Sequence, residues 1–271
     1  NVGVSTNVAS IGDNADIDAQ GVVVRATIPV GEKNDFGADA KSGAGAGEVG
    51  VAGSLAANVV VNTTVAAIEG DKDLSGTGAD VNAGTGDVLI EATNATVSTV
   101  KSGADVKGSG AGAEVGVGVS VGLNVGVNTT VAEIQDSAKL TGGRNLNINA
   151  KSDHTMTTTV TGGAKGANIA VTPVIGVTIG VNTTAADLGT GTGLNLTGGF
   201  GMSAEQSSTQ ATTVTGQTEG NVGVGASIGI GVATDTVTAG VERDIKAAND
   251  ITIDARSTSK SSTSATASVA G

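Results

Sequence analysis

The sequence predicts an all-β solenoid of repeated units. Three observations lead there. A phrase recurs at intervals of 52 to 66 residues, apolar and small residues alternate with period two, and aromatic residues are almost missing. The phrase is clearest as Asn124-Val-Gly-Val-Asn128-Thr-Thr-Val-Ala132-Glu-Ile134. It returns at Asn58 to Ile68, at Thr178 to Leu188, in the opening residues Asn1 to Ile11, and more weakly at Ile230 to Gly240. Its anchor positions are Ser5, Asn62, Asn128, Asn182 and Thr234, at intervals of 57, 66, 54 and 52 residues. A period that survives while its spacing drifts marks stacked units with loop insertions. The chain reads as one such solenoid over residues 1–271, cut from a longer protein because it starts on Asn1 and stops in mid-pattern.

Composition limits what the core can be. Trp, Tyr and Cys are absent, Phe36 and Phe200 are the only aromatics, and 44 of 271 residues are Gly. A compact globule of this length relies on aromatic side chains for much of its buried area. A thin interior of Val, Ile, Leu and Ala does not. The formal charge of −12 leaves no basic stripe for phosphates, so nucleic acid is not an expected partner. No run is apolar enough for a membrane helix, and an outer-membrane barrel would need aromatic girdles that this chain lacks.

Taking the elements in order, each anchor phrase ends a long alternating stretch. Val115, Val117, Val119, Val121, Leu123, Val125 and Val127 alternate with Gly, Ser and Asn. The same texture covers Ile169 to Val181 and Val222 to Val232. The branched residues are expected to face inward, with Val119, Val121, Leu123, Val125 and Val127 as core. This alternation is long for one solenoid face, so the chain either turns at Ser120 or Asn124 or forms an unusually wide sheet. Next comes a second unit, Leu140-Thr-Gly-Gly-Arg-Asn-Leu-Asn-Ile148-Asn-Ala150, repeated at Val81 to Ala92 and Ile245 to Ala255 and loosely at Leu196 to Ala204 and Ile17 to Ala26. It reads as short strand, turn, and short strand ending on an inward Ala. Polar stretches follow at Thr155 to Thr161, Ser207 to Thr215 and Ser257 to Thr266. Gly-rich links such as Gly43 to Gly47 and Gly108 to Gly112 lead to the next anchor.

The second unit resembles the coil repeat of filamentous haemagglutinin-type adhesins, which Gram-negative bacteria secrete by two-partner or autotransporter routes. The Gly-Val-Asn-Thr-Thr phrase is similar to repeats in very large leukotoxin-like filamentous adhesins. The resemblance implies a right-handed parallel β-helix shaft, secreted or on the bacterial cell surface. Its partner would be a host or neighbouring-cell receptor or matrix, with lateral or end-to-end self-association. Another elongated β-solenoid and an antiparallel repeat array remain open. At roughly 20 to 25 residues per coil, each anchor interval would hold two or three coils. The chain would then have roughly 11 to 13 coils, on the order of 55 Å long at about 4.8 Å per layer.

The candidate chemistry is sparse. Asn62, Asn128, Asn182, Asn94 and Asn195 each open an Asn-x-Thr sequon. The simpler reading is that Asn stacks on Asn in adjacent layers. Asn62, Asn128 and Asn182 are therefore taken as equivalent structural anchors, placed on turns or strand ends where the amide pairs with backbone. Asp13, Asp16 and Asp18, then Asp71, Asp73 and Asp80, form acidic clusters. No cofactor is expected, with calcium at these turns as the weaker alternative to solvated loops. Gly84-Thr-Gly86-Asp87 only partly follows a calcium-binding nonapeptide. His154 stands alone and reads as an exposed loop residue, and no catalytic set is proposed. The leading function is therefore a structural shaft that mediates adhesion or presents a distal domain. The rival is a ligand-binding solenoid that uses a Thr/Ser/Asn-rich face for carbohydrate, receptor or ice.

Overall fold

The computed structural model describes residues 1–45, 48–71, 78–106 and 113–271. Part of the link Gly43 to Gly47, the whole of the link Gly108 to Gly112, and Asp73 of the second acidic cluster lie outside the described residues. Among the described residues all regular structure is β-strand, and no helix is long and apolar enough to cross a membrane.

The first coil runs along β1 (Val2–Ile11), through β2 (Asp16–Asp18), and back along β3 (Val22–Ala26) and β4 (Asn34–Ala44). The second has β5 (Val49–Ile68), β6 (Asp80–Asn82) and β7 (Val88–Val106). The third has β8 (Val115–Ile134), β9 (Lys139–Thr141) and β10 (Leu146–Lys165). The fourth has β11 (Ile169–Leu188), β12 (Leu194–Leu196) and β13 (Phe200–Glu219). The last has β14 (Val222–Val241), β15 (Ile245–Ala247) and β16 (Ile251–Ala270). Long outgoing strands stack as β1-β5-β8-β11-β14, and long returning strands stack as β16-β13-β10-β7, with β3 and β4 both on β7. Short strands form two further small sheets. Every pairing is parallel, so the chain is a parallel β-solenoid of repeated units and not an antiparallel array.

The coil is much larger than the sequence suggests. Asn62, Asn128, Asn182 and Asp235 pair in adjacent layers. Each anchor interval is therefore one coil of 66, 54 or 53 residues, not two or three. The fifth equivalent position is Asp235; Thr234 pairs with Val181, one residue earlier. Five layers at about 4.8 Å make a stack roughly 20 Å tall, and a strand of 20 residues spans about 66 Å. The slab is broader than it is tall. Val115 to Val127 runs straight through Ser120 and Asn124, so the wide-sheet alternative holds. The polar stretches 155–161, 207–215 and 257–266 likewise continue the returning strands.

The expected core is inverted over most of the slab. In β8 the buried positions are Gly116, Gly118, Ser120, Gly122, Asn124 and Gly126, while Val119, Val121, Leu123, Val125 and Val127 face outward. The reason is spacing. The outgoing and returning sheets lie so close that a methyl group at Gly118 would sit 2.3 Å from the Gly163 carbonyl oxygen. One at Gly122 would sit 2.5 Å from a Val160 methyl, and one at Gly176 2.6 Å from a Val214 methyl. The fit is reciprocal: Val174 on the outgoing sheet enters the space left by Gly162, 2.5 Å from where its Cβ would be. Val160, Val174 and Val214 thus form a small buried cluster, each seated against glycine.

Among the described residues the large apolar core fills the end where the short strands close the coil. Ile68, Ile134 and Leu188 end the outgoing strands there. Val81, Leu140 and Leu194 come from the short strands, and Ile90, Ile148 and Phe200 begin the returning ones. The inward alanines Ala92, Ala150 and Ala204 lie among them as the second unit predicts. The turn before β10 needs Gly142: its φ is 71°, and a Cβ would meet the Gly84 carbonyl oxygen at 2.7 Å.

Two substitutions separate the faces. Gly118→Ala is expected to cost about 1–3 kcal/mol by overpacking, read as a shift in the urea midpoint. Val121→Asp, on the outer face, is expected to leave the far-UV β spectrum unchanged. The opposite ranking would restore the inward assignment of the valines.

Candidate functional site

Two features rise from this architecture: a polar ladder inside the slab and a marked difference between its outer faces. The ladder is made by the anchors. Asn62 Nδ2 donates to Asn128 Oδ1 at 2.9 Å, Asn128 Nδ2 to Asn182 Oδ1 at 2.7 Å, and Asn182 Nδ2 to Asp235 Oδ1 at 2.7 Å. Asp235 also accepts from Ser259 Oγ at 2.5 Å. The three asparagines are buried in mid-strand, pointing inward. They occupy equivalent places, but not turns or strand ends, and their amides pair mainly with one another. A narrow gap explains this: an amide fits where a branched chain does not, and its neighbours in adjacent layers satisfy it.

The returning sheet supplies a facing column. Register aligns Thr96, His154, Ser208 and Ser259. Asn62 Nδ2 donates to Thr96 Oγ1 at 2.8 Å and Asn182 Nδ2 to Ser208 Oγ at 3.3 Å. A second polar set lies further along. Asn58 Nδ2 donates to Ser98 Oγ at 2.8 Å, and Ser98 Oγ to Asn124 Oδ1 at 2.5 Å. Thr212 Oγ1 donates to Thr178 Oγ1, and Thr178 Oγ1 to Thr158 Oγ1, each at 2.6 Å. Sequence reading missed this column, although aligning Leu146 with Val88 and Phe200 would have exposed it.

His154 is not an exposed loop residue. It lies in β10 at 2% exposure, and neither ring nitrogen has a hydrogen-bond partner. Burial pushes its pKa down to about 4, against the opposing pull of Asp153 and Asp235. The imidazole is therefore held neutral at physiological pH.

The other candidates resolve differently. The sequon residues Asn62, Asn128, Asn182 and Asn94 are buried, and Asn195 on β12 is exposed. Asp80 pairs with Lys139, and Asp18 accepts from Asn82 Nδ2 at 2.9 Å. Asp87 of the nonapeptide-like turn accepts from Arg144 Nε at 2.9 Å and Nη2 at 2.6 Å, and from Asn145 Nδ2 at 2.9 Å. The Arg144 hydrogen bond, chiefly, holds its carboxyl down at about 2. It ties two layers together. Among the described residues no group of three or more His, Cys, Asp or Glu is arranged to hold a metal ion. Glu133, Asp187 and Glu242 line a groove at the closing end, where burial and then these like charges raise the Asp187 pKa. Beside it Arg243 donates to the carbonyls of Gly189, Ala138, Gln135 and Thr190, at 2.5 to 3.2 Å. No periodic signal marks Arg243 in the sequence.

The outer faces differ in kind. The returning sheet is polar and charged, with Arg25–Glu91 at 2.5 Å, Lys151–Glu205 at 3.5 Å and Lys165–Glu219 at 2.6 Å across layers. The outgoing sheet carries aliphatic columns such as Leu55, Val121, Ile175 and Ile228, and one column of threonines, Thr6, Thr63, Thr129, Thr183 and Thr236. No known protein family, curated protein or solved structure matches the chain, so the fold defines its class: a parallel β-solenoid with wide two-sheeted coils.

Three outcomes test the ladder. Asn128→Ala strands the Asn62 donor and the Asn182 acceptor and is expected to cost about 2–4 kcal/mol in denaturant unfolding, more than one ordinary hydrogen bond. Ser5 occupies the anchor place in the first coil, and Asn62 Oδ1 lacks a partner there. Ser5→Asn is expected to gain about 1 kcal/mol by adding a rung. For His154, the folded pKa of about 4 lies below the ordinary 6.5. The unfolded chain therefore takes up a proton first, and stability falls as pH drops through that window, by about 3 kcal/mol in total. His154→Gln is expected to remove that slope from the difference between urea midpoints at about pH 7.5 and about pH 4.

Proposed function

We propose that the chain is part of the structural shaft of a secreted or cell-surface bacterial adhesin or exoprotein, extending a filament and holding other parts of it away from the cell. One observation carries the reading: the long strands of successive coils pair residue for residue over 18 to 20 positions, so each layer templates the next. Such stacking makes length and surface, and each unit depends mainly on its neighbours. The interior supports the same reading, because its polar side chains are largely used in holding layers together. The acidic balance, at a formal charge of −12, disfavours nucleic acid as a partner. The partner class proposed is a host or neighbouring-cell receptor or matrix.

A second reading, a ligand-binding solenoid, is favoured by the outward threonine column, whose hydroxyls repeat at the strand spacing. Replacing Thr129 and Thr183 by Val distinguishes the two. Loss of cell or glycan binding would favour the ligand face; retention favours the shaft.

The shaft itself is tested by removing Asn62 through Val127. Val61 pairs with Val127 and Asn62 with Asn128, so the new joint is in phase and one coil of 66 residues is lost. The shortened chain is expected to fold with an unchanged far-UV spectrum and lose about 4.8 Å of height in small-angle scattering. An unfolded product would refute the shaft. Antibodies against the chain are expected to label intact cells of the source organism; labelling only after permeabilisation would refute the surface location.

A further inference from the structure

The outer face of the outgoing sheet is out of keeping with a free surface. Along β5, β8, β11 and β14 the outward positions from Val49 to Val65, and their partners in each layer, include no charged residue. Leu55 is 67% exposed, Val51 64%, Ile228 50% and Ile175 36%. Seventeen residues of strand across four layers cover roughly 1,000 Å². The largest apolar patch on an ordinary monomer is about 300–600 Å².

We propose that this face is the interface of a two-fold dimer, in which a second copy of the chain packs sheet to sheet. Area is the first argument. A stable protein interface buries about 800 Å² on each partner, and the patch meets that requirement alone. Shape is the second. The face is one parallel sheet whose four strands pair in register. Its outward columns, mostly of Val, Leu and Ile with one of Thr, recur at the strand spacing in one direction and at every second residue in the other. The surface best matched to such a lattice is another sheet of the same lattice, packed about 10 Å away in the aligned manner of β-sandwiches. A two-fold operator supplies that surface from the same sequence. Charge is the third. Glu48 and Glu114 border the patch at one end, and Glu133 and Asp187 at the other. An acidic border opposes seating on an anionic bilayer, where a basic border is the rule. Chemistry on the opposite face agrees: the returning sheet is laced with ion pairs and suited to remain in water.

The pairing is lateral and uses no hydrogen bonds of the last strands β14 and β16, so it stands whether or not the chain is a shaft. The experiment is sedimentation velocity at tens of micromolar on the wild type, Val121→Lys, Ile228→Lys and Thr157→Lys. Circular dichroism follows each, with flotation on phosphatidylcholine vesicles in parallel. The wild type and Thr157→Lys, which alters the polar face, are expected at twice the chain mass of 25.8 kDa. Val121→Lys and Ile228→Lys are expected to keep the β spectrum and to weaken association at least ten-fold. A monomeric wild type would overturn the proposal, and its flotation with vesicles would assign the face to lipid. A dimer indifferent to both lysines would also overturn it and place the contact on the strand edges. If one lysine variant fails to fold, the other and the wild-type mass still decide.

Discussion

The distance between the two long sheets governs this molecule. They lie closer than two layers of branched side chains allow, and the rest follows from that constraint. One sheet presents Gly where the other presents Val, as Gly122 does to Val160 and Gly176 to Val214. The glycine content that makes the composition look unlike a domain is thus a packing device. It also explains why the bulky apolar core of the described residues sits at the closing end, where the short strands hold the sheets apart around Phe200, Leu140 and Leu188.

A thin interior sets a problem in polar chemistry. Aliphatic burial is small there, and the space left over suits Asn, Ser and Thr. Such groups are costly to bury alone and acceptable when paired. Parallel in-register stacking pairs them: along the anchors an asparagine stands one layer away at hydrogen-bond distance, and in the sets around Ser98 and Thr178 a side chain of the facing sheet bridges two stacked residues. The anchors, the Ser98 and Asn124 set and the Thr178 set are three solutions to one problem. A few buried groups, such as Asn62 Oδ1 and Thr130 Oγ1, stay unpaired; His154 leaves both ring nitrogens unpartnered, so its cost appears as a proton it refuses.

Much of the fold was legible. Period-two alternation announced strands, and the recurring phrase announced layers, because both follow from local geometry repeated without change. The pairing of Asn62 with Asn128 and Asn182 was visible for the same reason. Direction was not. Alternation shows that Val121 and Gly122 lie on opposite faces, but which face is buried depends on how near the second sheet comes, and no local pattern encodes that. The usual rule that branched residues go inside therefore misassigned Val119 to Val127. Coil size failed for a related reason: a turn and a strand that runs on look alike when Gly and Ser lie throughout the sequence. His154 seemed exposed because its neighbours Asp153 and Thr155 are polar, yet those neighbours occupy the outer face.

The amide ladder has a sense of travel. Each asparagine receives on its oxygen and gives from its nitrogen, so polarity passes from Asn62 through Asn128 to Asn182 without reversing. Asp235 breaks the relay, because a carboxylate receives from both sides and gives to neither. Coils that carry Asn are therefore interchangeable links, whereas a coil that carries Asp is a terminus for the relay. Any layer stacked beyond it would have to offer a donor at that position. One atom substituted in a side chain thus writes an order of assembly into an otherwise repetitive stack.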